Sequence, residues 1–241
     1  MALGSQPRWT VRPAVGVPVD VDVGLRDYML RIYNYMASGL ALTGIVAYFF
    51  ASSGLYRELA QTPLIYLVIL APFGFVLALS YGINRMSAST AQALFWLFSA
   101  VMGLSLASIF LVYTGASIAR VFFITAGTFA AMSIYGYTTQ RDLSGMGSFM
   151  MMGLIGIIIA SLVNLFLASS ALQFAISVIG VIVFVGLTAW DTQRIKQMYF
   201  EMDHSDGQMV GKTAIMGALS LYLDFINLFM MLLQLLGARR D

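Results

Sequence analysis

Residues 213–236 read Thr213-Ala-Ile-Met-Gly-Ala-Leu-Ser-Leu-Tyr-Leu-Asp224-Phe-Ile-Asn227-Leu-Phe-Met-Met-Leu-Leu-Gln-Leu-Leu236. A helix that crosses a bilayer needs about 20 consecutive, mostly apolar residues. This stretch is long enough, and it holds a single acidic or basic residue. Asp224 lies eleven residues in, near the expected midplane.

The rest of the chain has the same character. Of its 241 residues, 60% are hydrophobic and 10% charged, with a mean hydropathy of +0.85. A soluble domain carries about 45–50% apolar and about 25% charged residues. So few charges cannot cover one core with a solvated surface, so the chain is read as an integral membrane protein. Seven runs are long enough to span, at about 34–53, 64–83, 91–113, 118–138, 148–168, 171–191 and 213–236. They are continuous, whereas barrel strands are short and alternating. Backbone in lipid must satisfy its own hydrogen bonds. The expected fold is therefore an all-α bundle of seven transmembrane helices over 34–237, with short connections making successive helices antiparallel neighbours.

Residues 1–33 differ. They hold Pro7, Pro13 and Pro18 among charged residues, without the apolar core of a signal peptide. They are read as a mobile cytoplasmic tail ending in a short amphipathic helix, with Trp9 and Tyr28 at the interface. Residues 238–241 form a second, short tail. With the N-terminus inside, the inner segments hold Arg8, Arg12, Arg26, Arg31, Arg85, Arg141, Arg194, Lys196 and Lys212. The outer segments hold only Arg57, Arg120, Arg239 and Arg240. This bias favours N-in. Arg239 and Arg240 weigh against an outer C-terminus and leave open a last segment that dips in and returns.

Other counts exclude whole classes. There is no cysteine and one histidine, His204, so thiol and zinc-cysteine chemistry is absent and a His-based triad is disfavoured. A net charge of +2 gives no footprint for nucleic acid. The pairs Gly103/Ala107 and Gly156/Ala160 are read as sites of close helix packing. The acidic loop Glu201-Met-Asp203-His204-Ser-Asp206-Gly207 lacks the spacing of a calcium-binding loop and is read as solvated charge.

Ionisable groups at membrane depth are costly and usually functional. Beside Asp224 stands Asp191, in Gly186-Leu-Thr-Ala-Trp-Asp191-Thr-Gln-Arg-Ile195. It ends the sixth apolar run, although helix-compatible sequence continues to about Phe200. From Asp191 to Glu201 is ten residues, and from Lys212 to Asp224 twelve, or roughly 15 and 18 Å at 1.5 Å per residue. The hairpin thus brings both carboxylates to similar depth. Two close carboxylates in a low dielectric cannot both ionise cheaply, so a shared proton is expected. When both ionise they form a hard-oxygen site that suits Ca²⁺. Thr188, Thr192, Gln193 and Asn227 are candidate supporting polar groups. Arg85, after the second span, lies on the same side and is read either as a latch reaching a carboxylate or as an anchor in the headgroups.

The run Trp190-Asp191-Thr-Gln193, followed by Leu223-Asp224-Phe-Ile226, resembles the signature of the Bax inhibitor-1 family. The segments Tyr113–Phe123 and Ser133–Thr139 are similar to bacterial members, and the resemblance extends from about residue 26 to 237. It implies a seven-helix fold whose last helix is central and wrapped by the other six. It also implies a pH-sensitive calcium leak, a di-aspartyl sensor at Asp191 and Asp224, and a latch arginine at Arg85. The chain is then no enzyme and holds no permanent cofactor. Ca²⁺ is the transported ion and lipid the surroundings, in a bacterial inner membrane. The main alternative is a regulatory protein that binds a membrane-bound ATP-dependent protease or another channel. A less favoured one is an intramembrane aspartyl protease, whose glycine beside the second aspartate is missing here.

Overall fold

The computed structural model describes residues 19–240. Arg8, Arg12, Trp9 and the three early prolines lie outside the described residues. The described chain folds as nine helices: α1 (Val19–Ser52), α2 (Leu55–Ala60), α3 (Leu64–Gly82), α4 (Ala88–Leu106), α5 (Ser108–Val112), α6 (Gly115–Thr138), α7 (Ser144–Leu167), α8 (Ser170–Glu201) and α9 (Gly207–Leu236). Seven helical segments are long and apolar enough to span, with α4 and α5 sharing one crossing.

The helices begin where the sequence supplies acceptors for their free N–H groups. The Ser87 hydroxyl accepts from the Thr90 amide at 3.2 Å, Thr114 from Ser117 at 3.3 Å, and Ser169 from Leu172 at 3.3 Å. The Asp206 carboxylate accepts from Gln208 and Met209 at the start of α9.

Two boundaries differ from the sequence expectation. Residues 23–33 are not a separate tail but the first three turns of α1 to have described side chains. Leu25, Tyr28, Met29, Ile32 and Met36 are all buried, a stripe at helical spacing. The charges Arg26, Asp27 and Arg31 lie off this stripe and are exposed, Arg26 on one flank and Asp27 and Arg31 on the other. The last helix starts at Gly207 rather than near residue 213, and runs unbroken to Leu236, so it neither dips nor returns.

Burial sorts the helices. Half of the core of α9 (50%) is buried inside the protein, against 6% for α7. α9 packs mainly against α1, α4, α6 and α8. α3 packs on α4, and α7 on α8. The expected ring of six around the last helix is thus reduced to four main neighbours. The reason lies in α3 and α7 themselves, which are apolar all round. Tyr66, Phe73, Ile155 and Phe166 stay exposed where lipid would lie.

The small-residue pairs also divide. Gly103 lies against the Thr43 carbonyl and Val46, letting α4 close on α1. Gly156 faces open space, and of the second pair only Ala160 packs against the core.

One end of the bundle gathers residues 83–87, 139–143 and 202–206. At the opposite end, the chain after α9 folds back on the α5–α6 junction. The Thr114 amide donates to Ala238 O at 3.1 Å, Arg240 N to Val112 O at 2.9 Å, and Ala238 N to the Ser117 hydroxyl at 2.8 Å.

Candidate functional site

Asp191 belongs to α8 and Asp224 to α9, the two helices most extensively packed on each other. Their carboxyl groups are within hydrogen-bonding reach of one another. Asp224 is only 5% exposed, and its Oδ2 has no hydrogen-bond partner. A buried polar atom without a partner is costly. It marks Asp224 as a group retained for something other than packing.

The two acids differ in company. The Asp191 side chain is 13% exposed and lies 3.9 Å from the Arg194 guanidinium, one turn onward. Among the described residues this is the single ion pair. Arg194 is 54% exposed and also stands 5.4 Å from the Trp190 ring. Among the described residues Asp224 has no basic partner. Positive charge therefore touches the outer member of the pair and not the inner one.

Close packing fixes where Asp191 points. Gly136 of α6 lies directly against the Ala189 carbonyl, and Gly147 of α7 lies directly under the Trp190 ring, in both cases with no room for a side chain. The glycines thus hold α8 on both flanks at the residues just before Asp191. The earlier start of α9 lengthens the lever on the other side. Asp224 is seventeen residues from Gly207, roughly 26 Å, against roughly 15 Å from Asp191 to Glu201. The helices are staggered, and residues 202–206 take up the offset.

The supporting residues play different parts. The Thr188 hydroxyl donates to Phe184 O at 2.7 Å, and Thr192 to Thr188 O at 2.8 Å. Their protons are spent on their own helix, which leaves oxygen lone pairs. Thr192 also lies 3.5 Å from the Ser133 hydroxyl of α6. Gln193 is occupied elsewhere. It accepts from Leu143 N at 2.9 Å and donates to Arg141 O at 2.8 Å, clamping the α6–α7 connection to α8. Asn227 donates to Leu223 O at 2.8 Å, one turn beyond Asp224.

Arg85 ends a short 3₁₀ turn, Ile83–Arg85, and is exposed. It sits beyond α3, which packs on α4 rather than on α8 or α9, and the structure does not bring it to the pair. Arg194, its neighbour Trp190, and the glycines 136 and 147 are the site residues the sequence reading did not single out. Only the i, i+3 spacing of Asp191 and Arg194 carried a signal.

The acidic loop is more ordered than solvated charge implies. Asp203 accepts from the Ser205 hydroxyl at 2.7 Å and its amide at 2.9 Å. These bonds hold the Asp203 carboxyl below its ordinary range, with His204 a lesser influence. Asp206 caps α9. Among the described residues no three metal-ligating side chains converge, so the pair stands as a two-carboxylate site.

Comparison with known proteins gives a consistent picture. A family model described as "inhibitor of apoptosis-promoting Bax1" matches residues 25–241. A protein of Rickettsia prowazekii is 54% identical over 222 residues, covering 91% of this chain and 93% of its own. The inner membrane protein YbhL of Escherichia coli K12 is 53% identical over 219 residues, covering 90% and 94%. A protein of Caulobacter vibrioides is 45% identical over 239 residues, covering 95% of each.

Proposed function

The chain belongs to the Bax inhibitor-1 family of membrane proteins, and from that premise we propose that it is a pH-sensitive calcium leak controlled by Asp191 and Asp224. The observation that carries this reading is the acidic pair itself. Two carboxyl groups meet on adjacent spans, and among the described residues the inner one has neither a base nor a partner for Oδ2.

Ionised, the pair offers hard oxygen ligands to a divalent cation, and Thr188 and Thr192 of the same helix as Asp191 are candidate further oxygens. Conduction needs binding weak enough to release the ion, and two carboxylates suit that. Protonated, the same groups bond to each other. Protons and cation therefore compete for the site, and Ca²⁺ binding strengthens as pH rises. Arg85 has a place in this scheme as a latch in a closed state that differs from the arrangement described above. The N-terminus is cytoplasmic by the distribution of Arg and Lys, and the membrane is an inner membrane, by analogy with YbhL.

The test is Ca²⁺ flux into proteoliposomes between pH 6 and 8. Wild type should show a pH-dependent leak that Asp224→Asn and Asp191→Asn flatten. Equal flux and equal pH dependence in wild type and Asp224→Asn would overturn the assignment.

A further inference from the structure

α1 and α6 both pack on α9 far more than on one another. The gap between them is a groove of about 1130 Å³, beyond the roughly 300–1,000 Å³ typical of small-ligand pockets. Its walls include Leu40 and Ile45 of α1 and Phe122 and Ile134 of α6, and Phe225 of α9 forms part of its floor. Small residues keep it deep, since a side chain at Gly44 would meet nothing. From Arg26 to Ile45, both lining residues, the α1 wall runs nineteen residues, or roughly 28 Å. That is close to the ~30 Å thickness of a hydrocarbon core.

Such a groove does not fill with water, because an apolar cavity gives water no hydrogen-bond partners and stays dry. Left empty, its lining forfeits dispersion contacts. At membrane depth the available filler is a hydrocarbon chain. One end is chemically distinct. Arg26 and Tyr33 line it from α1, and Tyr137 from α6. Lys196 does not line the groove but adjoins this end through Tyr137, its Nζ donating to Tyr137 O at 2.8 Å and lying 5.0 Å over the Tyr137 ring. Among the described residues Arg26 is in no ion pair and no carboxylate lines the groove. An apolar slot with Arg26 at its end, and Lys196 one residue behind that end, complements a negatively charged head on an acyl chain.

We propose that the α1–α6 groove is a binding site for an anionic phospholipid, with one acyl chain along Phe225 and the headgroup at Arg26, on the side of Tyr137 and Lys196. The site reaches Ser133, itself 3.5 Å from Thr192, so the lipid would border the wall of the acidic pair.

The experiment is native mass spectrometry of the full chain, delipidated in detergent and titrated with phosphatidylglycerol or phosphatidylcholine of matched chains. One phosphatidylglycerol should be retained in preference to phosphatidylcholine. A basic residue near anionic lipid is worth about 1 kcal/mol, so Arg26→Gln should weaken phosphatidylglycerol about fivefold and leave phosphatidylcholine unchanged. Arg31→Gln, on the far side of α1 beside Asn34 and Trp96, should change neither. Ala130→Phe, which fills the slot, should weaken both lipids. Equal retention of the two lipids, unchanged phosphatidylglycerol binding in Arg26→Gln, or a second copy of the chain in place of lipid each overturns the proposal. Arg26 is exposed, so its substitution decides the matter even if Ala130→Phe does not fold.

Discussion

The Arg194 guanidinium lies 3.9 Å from the Asp191 carboxylate, one turn apart on one helix, while Asp224 faces the same carboxylate from α9. Arg194 and a cation therefore compete for Asp191. Only the Arg194 end of this pair is exposed; solvent-screened pairs are worth about 0.2–1 kcal/mol. Arg194→Gln should leave thermal stability nearly unchanged and tighten Ca²⁺ about two- to fivefold at alkaline pH. Calorimetric titration of the two proteins with Ca²⁺ measures it. Weaker binding in the variant would show that Arg194 instead orders the site.

Gly136 presses on the Ala189 carbonyl, and backbone cannot rotate away as a long side chain can. Gly136→Ala should cost about 1–3 kcal/mol of stability through forced separation of α6 and α8. It should also perturb the pH profile of flux, because Asp191 is two residues from the contact. Gly156→Ala, facing open space in mid-helix, is the matched control and should leave flux as it is while melting at the same or a slightly higher temperature.

A buried hydroxyl chain ties α1, α4 and α9. Thr43 and Tyr222 lie 2.6 Å apart, and the Thr43 oxygen is 2.9 Å from Gly39 O and 2.8 Å from Ser99 O. Thr43 has one proton, which goes to a carbonyl, so Tyr222 is the donor between the two hydroxyls. Removing that donor with Tyr222→Phe should cost only about 0.5–1.5 kcal/mol. Thr43→Val strands the Tyr222 hydroxyl and should cost about 1–3 kcal/mol. Thermal melts of the two variants give the order, and a larger loss in Tyr222→Phe contradicts the assignment of the donor.

Outside the membrane, Asp142 accepts from the Ser144 side chain and from its amide, at 2.9 Å for the amide. Both bonds favour the charged form and hold the carboxyl below its ordinary value. A depressed carboxyl supplies stability that is present above the unfolded-state pKa and lost as pH falls through the folded one. Ser144→Ala should raise the Asp142 pKa part of the way back, since the amide bond remains. Carbon-detected NMR titration of Asp142 reads the shift.

The acidic pair was legible because an ionised group in an apolar run has few innocent explanations, and Asp224 is alone in its run. The spans were legible for the same reason, through their lack of charge. α1 was misjudged at its start because Arg26, Asp27 and Arg31 interrupt the hydropathy there. The buried stripe Leu25, Tyr28, Met29 and Ile32 shows only at helical period. Gln193 was read as part of the site, yet its amide serves Arg141 and Leu143, about fifty positions away. Nothing local in sequence announces such a contact. Gly136 and Gly147 were hidden differently. Twenty-two glycines offer many close approaches, and only the packed bundle shows which ones carry a neighbour's backbone or ring.

The hydrogen bonds of Ala238 and Arg240 to residues 112–117 make the far end of α9 a reporter on the third crossing. A fluorophore or spin label at Arg239 would move with the α5–α6 junction, and not with α9 alone. Distances measured from that label should thus be interpreted as a joint coordinate of both helices. A label on α2, which makes none of these bonds, would separate the two motions.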